Sequence, residues 1–136
     1  MSADLRTLTR VRLRESRVLL QAGETSGAYY LCGYAVECGL KACITRQFAR
    51  YQMPGKKLVE DSHTHNLEKL VRLSGLEGLL RQEANVDSIF ENYWNVTKDW
   101  NETSRYEVWP EQDAQDLYRA VSNRDHGVLR WIRRHW

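Results

Sequence analysis

The segment from Gly27 to Ile44, Gly-Ala-Tyr-Tyr-Leu-Cys-Gly-Tyr-Ala-Val-Glu-Cys-Gly-Leu-Lys-Ala-Cys-Ile, constrains the fold more than any other stretch. It reads as one helix built for close contact. Small residues recur at Gly27, Ala28, Gly33, Ala35, Gly39 and Ala42, with aromatics at Tyr29, Tyr30 and Tyr34. Each glycine costs a helix about 1 kcal/mol relative to alanine, so a free surface helix would not carry three. They make sense where another helix backbone must come near. Glu37 and Lys41 stand four apart in the favourable order and share one face. On so apolar a helix the pair reads either as part of a polar groove or as an internal ion pair.

The chain has 136 residues, enough for one domain with a real core. Charged residues make up 28% and hydrophobic ones 42%, as in an ordinary folded protein. Net charge is +2, far from that of an obligate nucleic-acid coat. The positive charge is uneven, with Arg6, Arg10, Arg12, Arg14 and Arg17 near the start and Arg124, Arg130, Arg133 and Arg134 near the end. Arginine suits planar phosphate or carboxylate contacts, although arginines on solvated helix faces need no ligand. Cys32, Cys38 and Cys43 form no Cys-x-x-Cys pair and read as small buried hydrophobes in a reducing setting. The opening residues alternate Arg with Leu and Val and lack the apolar core of a signal peptide. No apolar run approaches a membrane span. A cytoplasmic protein without a membrane partner is expected.

Helical periodicity places Leu5, Leu8, Val11, Val18 and Leu19 on one side of a helix over residues 4–22, ended by Gly23. Thr25 or Ser26 is expected to cap the next helix, which runs to about Ala49. Pro54 to Lys57 reads as a turn and mobile loop. Ser62 or Thr64 then caps a shorter helix bearing Leu67, Leu70, Val71 and Leu73, with Gly75 at its end, and Leu76 to Leu80 adds a further turn. Asn85 to Trp100 reads as an aromatic-rich helix, Asn101 to Trp109 as a loop, and Pro110 opens a last helix that continues through Ile132. The expected fold is all-α: an antiparallel up-and-down bundle of four main helices plus a short extra helix, in a single domain over 1–136. Five tryptophans and seven tyrosines supply aromatic surface for dimerisation.

The block Ala28 to Glu37 followed by Lys41-Ala42 resembles the second helix of HEPN domains, the nucleotide-binding domains of higher eukaryotes and prokaryotes. His65-Asn-Leu67 with Leu70 is similar to the His-x-Leu-x-x-Leu that starts the family's third helix. Ser104-Arg105-Tyr106 is similar to the Arg-Tyr after its aromatic helix, and a closing helix with Ala114 and Ala120 fits its last helix. The resemblance covers about residues 8–134. It implies a helical bundle, usually a homodimer. One group of such domains is non-catalytic, binding nucleotides or supporting a partner, often a small nucleotidyltransferase; for this chain nucleotide or RNA binding, or docking of such a partner, in a toxin–antitoxin or defence type system is the expectation. The other group consists of metal-independent endoribonucleases.

The ribonuclease group carries Arg, four to six residues, then His, near the start of a late helix. Arg would stabilise developing phosphate charge and His would move the proton. Asn92 to Tyr106, where the pair belongs, holds no histidine. Two matches occur later, Arg119 with His126 and Arg130 with His135, and an endoribonuclease using either is the alternative reading. The preferred expectation is a non-catalytic module with Glu37, Lys41, His65, Arg105 and Tyr106 as ligand-binding residues. Arg105 would meet phosphate while Tyr106 stacks a base; a buried Tyr with an Arg–carboxylate pair anchoring the loop is the plainer alternative. His65 is equally a helix-start residue bonded to the adjoining loop. Trp94, Trp100 and Trp109 read as a nucleobase pocket or as core and dimer interface, Trp131 and Trp136 as a partner contact. His63 and His65 lack a completed ligand set, with Asp61 as the one tempting addition, so no metal is expected. No cofactor is expected either. A purely structural subunit of a defence complex is a third reading.

Overall fold

The computed structural model describes residues 4–51, with backbone alone over 48–51, and residues 55–136. The described residues form eight α-helices: α1 Leu5–Gln21, α2 Thr25–Tyr51, α3 Lys56–Asp61, α4 Leu67–Leu73, α5 Glu77–Val86, α6 Ser88–Lys98, α7 Glu111–Ser122 and α8 Val128–Arg133. A 3₁₀ turn, Glu102–Tyr106, separates α6 from α7. The all-α class is as expected, with more and shorter helices. No described helix is long and apolar enough to cross a membrane.

The small residues of α2 account for the arrangement. This helix packs against α1, α4, α7, α8 and the 3₁₀ turn. Cys32, Ala35, Val36 and Leu40 are wholly buried along it. A Cβ at Gly33 would fall inside the Trp100 indole, and one at Gly39 would lie 3.2 Å from Ile132 of α8. The glycines therefore admit large side chains, where closely approaching helix backbones were expected. Trp100 is 2% exposed, and its Nε1 has no hydrogen-bond partner. The buried donor is a cost of about 1–3 kcal/mol set against the packing of the whole ring on Gly33.

Helix ends follow local chemistry, not always that expected. Gly23 (φ 82°) and Gly75 (φ 76°) close α1 and α4 in the left-handed region that favours glycine. Thr25 and Ser26 do not act as caps. Thr25 Oγ1 donates to the Trp109 carbonyl at 2.7 Å, and Ser26 Oγ accepts from the Trp109 amide at 2.9 Å. The two hydroxyls thus pin a distant loop, while the Trp109 ring stacks on Tyr29 at 3.8 Å. Asn66, not Ser62 or Thr64, caps α4 through the Lys69 amide at 2.9 Å. Lys56 and Lys57 belong to α3 rather than to a turn, and Pro54 lies outside the described residues.

The helix expected over Asn85 to Trp100 is two, because Asp87 interrupts it. Its carboxylate accepts the Ile89 and Phe90 amides at 3.1 Å and caps α6. The expected last helix also splits. Asn123 Oδ1 accepts the amides of Asp125 and His126 at 3.0 and 2.8 Å, turning the chain before α8. Pro110 sits at the cap of α7, one residue before the helix proper. Trp94, Trp100 and Trp131 are core residues, Trp131 being 2% exposed rather than a projecting partner contact, although edges of Trp94 and Trp131 border separate surface pockets.

Glycine substitutions separate packing from propensity. Gly33→Ala gains about 1 kcal/mol in helix propensity but overpacks Trp100, which costs about 1–3 kcal/mol. We expect net destabilisation in urea melts. Gly78→Ala on α5, where a Cβ meets nothing within 4 Å, should be neutral or stabilising. A stabilised Gly33→Ala would refute the Trp100 contact.

Candidate functional site

Glu37 is the centre of the polar residues. It is 3% exposed, the only charged side chain among the described residues to be buried. A carboxylate so placed must be paired on both oxygens. Glu37 Oε2 accepts from Lys41 Nζ at 3.1 Å, one turn along α2. Glu37 Oε1 lies 2.8 Å from His65 Nδ1, just before α4. The other ring nitrogen of His65 lies 3.1 Å from Glu102 Oε2 on the 3₁₀ turn. The chain Lys41–Glu37–His65–Glu102 thus alternates bases with acids and ties three elements together.

The same turn presents Arg105 and Tyr106. Tyr106 is 74% exposed. Arg105 Nη2 donates to its hydroxyl at 2.7 Å, and the guanidinium lies 4.8 Å from the ring centre. The Tyr106 hydroxyl first, with Tyr30 adding to it, holds the Arg105 guanidinium above its ordinary value. Tyr30 is half-buried, 6.1 Å from Tyr34 and stacked on Trp100 at 5.9 Å. Tyr30, Tyr34, Glu37 and Lys41 follow one another at helical spacing, so they share one side of α2. Burial first, then the neighbouring Cys38 and Glu37, raise the Tyr34 hydroxyl, and Arg12 of α1 opposes them. An open edge results, with aromatic faces at one end and Lys41 and His65 at the other.

All five expected ligand-binding residues therefore lie around α2 and the 3₁₀ turn. Glu37 has both oxygens engaged, as an internal ion pair would have. Tyr106 is not the buried anchor of the plainer alternative; Trp109 does that work, its Nε1 donating to the Ser104 carbonyl at 2.9 Å. Glu102 was missed, although it stands one 3₁₀ turn before Arg105. Among the described residues no cluster of His, Cys, Asp and Glu could hold a metal ion. Glu37 and Glu102 flank opposite nitrogens of His65 and do not converge on a shared point.

The late Arg and His residues take other partners. Arg119 pairs with Asp116 at 3.7 Å, and His126 Nδ1 lies 2.7 Å from Asp87 Oδ2. Arg130 and Arg134 both approach Glu83. His135 packs edge-on against Trp131 at 4.9 Å, and burial followed by Arg134 lowers its ring below the ordinary value. The Asp87–His126 pair orients an imidazole as a general base would be oriented, while the nearest carboxylate to the exposed Arg119 is Asp116. Burial pushes the thiols of Cys32 and Cys43 up to about 12 and that of Cys38 to about 11, which removes them as nucleophiles.

Comparison with family models, curated proteins and solved structures finds no match to this chain. The functional reading rests on its own residues.

Two outcomes are expected of these groups. A double-mutant cycle on Glu37→Ala and His65→Ala should show coupling of about 1–3 kcal/mol, the range of hydrogen bonds to charged groups. The same cycle on the exposed Lys56–Glu60 pair, 4.0 Å apart, should fall near zero. Coupling near zero at Glu37–His65 would show the contact to be incidental. The second outcome concerns acid. His126 first, then the Phe90 and Ile89 amides, hold the Asp87 carboxyl below its ordinary 3.8. Its folded value lies below its unfolded one, so its stabilisation is full above about pH 4 and lost as pH falls through the lowered value. Asp87→Asn should therefore lower stability at neutral pH and flatten this part of the acid limb. An unchanged limb would remove Asp87 from acid unfolding.

Proposed function

We propose that this chain is a non-catalytic binding module of the HEPN kind, taking a nucleotide or single-stranded RNA along the open edge of α2. One observation carries the reading: Tyr30, Tyr34, Arg105 and Tyr106 share a surface with Lys41 and His65. Aromatic faces stack bases at about 1–3 kcal/mol each with little regard to sequence. Guanidinium and ammonium groups meet the phosphates between them. Glu37 and Glu102 hold His65 in place and set the edge of the surface. The ordered set of motifs from Ala28 to Tyr106 supports the same reading. In it the long helices run as an antiparallel up-and-down bundle in the cytoplasm and two copies pair. A small nucleotidyltransferase, as in toxin–antitoxin or defence systems, is the protein partner.

Fluorescence anisotropy with labelled single-stranded RNA and with labelled ATP tests the edge. Tyr106→Ala should weaken binding about tenfold or more, one stacked base being worth that much. Arg105→Gln should weaken binding and reduce the salt slope by roughly 0.7, one phosphate contact on a single strand. Binding that neither change affects would place the ligand elsewhere. Cleavage of the same RNA in EDTA, abolished by His126→Ala or His135→Ala, would replace this reading with the endoribonuclease one.

A further inference from the structure

The arginine-rich ends of the sequence meet in space. A cavity of about 210 Å³ lies between α1, the end of α7 and α8, and Arg124, Arg130 and Arg133 line it with Ser122 and Asn123. No carboxylate lines it. Leu13 brings α1 to its wall, and Arg10, one turn earlier on that helix, lies 5.3 Å over the Trp136 ring. Among the described residues Arg124 and Arg133 form no ion pair. Arg130 is three-quarters buried, and its Nε and Nη2 have no hydrogen-bond partner. Its carboxylate neighbour, Glu83, stands 3.7 Å away and is shared with Arg134 at 3.4 Å.

Three guanidiniums around one cavity repel one another, and buried donors without acceptors are unfavourable. An anion with several acceptor oxygens relieves the repulsion, while the enclosed Nε and Nη2 of Arg130 hold that side chain's charge beside the cavity without contacting solvent. Carboxylate and phosphate each match the guanidinium fork, but a phosphate monoester brings nearly two charges and three terminal oxygens to three arginines. Against about 30 Å³ for a water in the liquid, the cavity has room for such a group and the atoms attached to it. We infer that the Arg124–Arg130–Arg133 cavity is a binding site for a phosphate dianion, either free or as the terminal phosphate of a nucleotide. The site is separate from the α2 edge. Gly39 turns toward Leu129 and Ile132 of α8, while Tyr30, Tyr34, Glu37 and Lys41 occupy the opposite side of α2.

Isothermal titration of the full chain with inorganic phosphate and with AMP, at constant ionic strength, tests the site. Arg124→Gln with Arg133→Gln should weaken phosphate binding by about tenfold or more, the loss of two charge-assisted contacts. Arg130→Lys keeps the charge but loses the planar fork, and should also weaken it. The charge-matched control Arg72→Gln with Arg81→Gln, both exposed on α4 and α5, should stay near wild type. AMP binding that is much tighter than phosphate and is lost in the Arg124→Gln, Arg133→Gln variant but kept in Tyr106→Ala assigns the site to a nucleotide, and equal binding assigns it to the free anion. Absence of phosphate binding at millimolar concentration, or equal loss in the control pair, overturns the proposal. Circular dichroism of each variant shows whether any loss reflects unfolding.

Discussion

The seating of Trp100 on Gly33 is the contact on which the rest depends. An indole can lie against a helix backbone only where a Cβ is missing. Trp100 is the residue from which the chain leaves α6, so fixing its ring fixes where the 3₁₀ turn begins. Glu102, Arg105 and Tyr106 follow within six residues. The far end of the same segment is held by Trp109, through its stack on Tyr29 and its bonds to Thr25 and Ser26. Two tryptophans therefore clamp a short loop across the first half of α2. Between them Glu102, Arg105 and Tyr106 are exposed, while Ser104 is buried and its carbonyl accepts from the Trp109 indole.

The buried carboxylate extends this frame to a third element. Glu37 stabilises nothing by being charged and hidden; alone, it would be costly. With Lys41 and His65 on its two oxygens it becomes a fastening between α2 and the start of α4. Such a pair is weak evidence for net stability, because apolar packing often does as well. Its effect is positional. His65 is held between Glu37 and Glu102, so the approach to α4 and the 3₁₀ turn is set by charge as well as by packing.

Much of this was legible in the sequence where local chemistry decides. The periodicity of α1, the length of α2 and the glycine stops at Gly23 and Gly75 follow from residues within a few positions of one another. The pairing of Glu37 with Lys41 is of the same kind. The missed features are those in which a distant residue competes for a local group. Thr25 and Ser26 have the chemistry of caps, but the Trp109 backbone takes their hydroxyls. Asp87 is a good cap inside an apparently continuous aromatic pattern, and periodicity overlooked it. Asn123 and Gly127 break the last helix with ordinary turn chemistry, masked by the apolar stripe on either side. Glu102 joins the site only because Trp100 and Trp109 bring its turn to His65, and spacing along the chain does not reveal that.

The groups left with unused bonding capacity are the ones that the proposed binding surfaces would use. The thiols are held protonated by burial, both oxygens of Glu37 are bonded, and His126 and Arg119 each lie beside a carboxylate, Asp87 and Asp116. Among the described residues, donors and aromatic faces with remaining capacity include Lys41, Arg105 and the tyrosines on one side of α2, each cation keeping further N–H groups beyond its one bond, and the arginines of the α8 cavity on the other. Donors and π-faces attract phosphates and bases but do not by themselves take a proton from a nucleophile. A net charge of +2 conceals this arrangement, because acidic residues elsewhere offset the two cationic regions. Charge and stacking are the means that such an arrangement offers for holding a ligand.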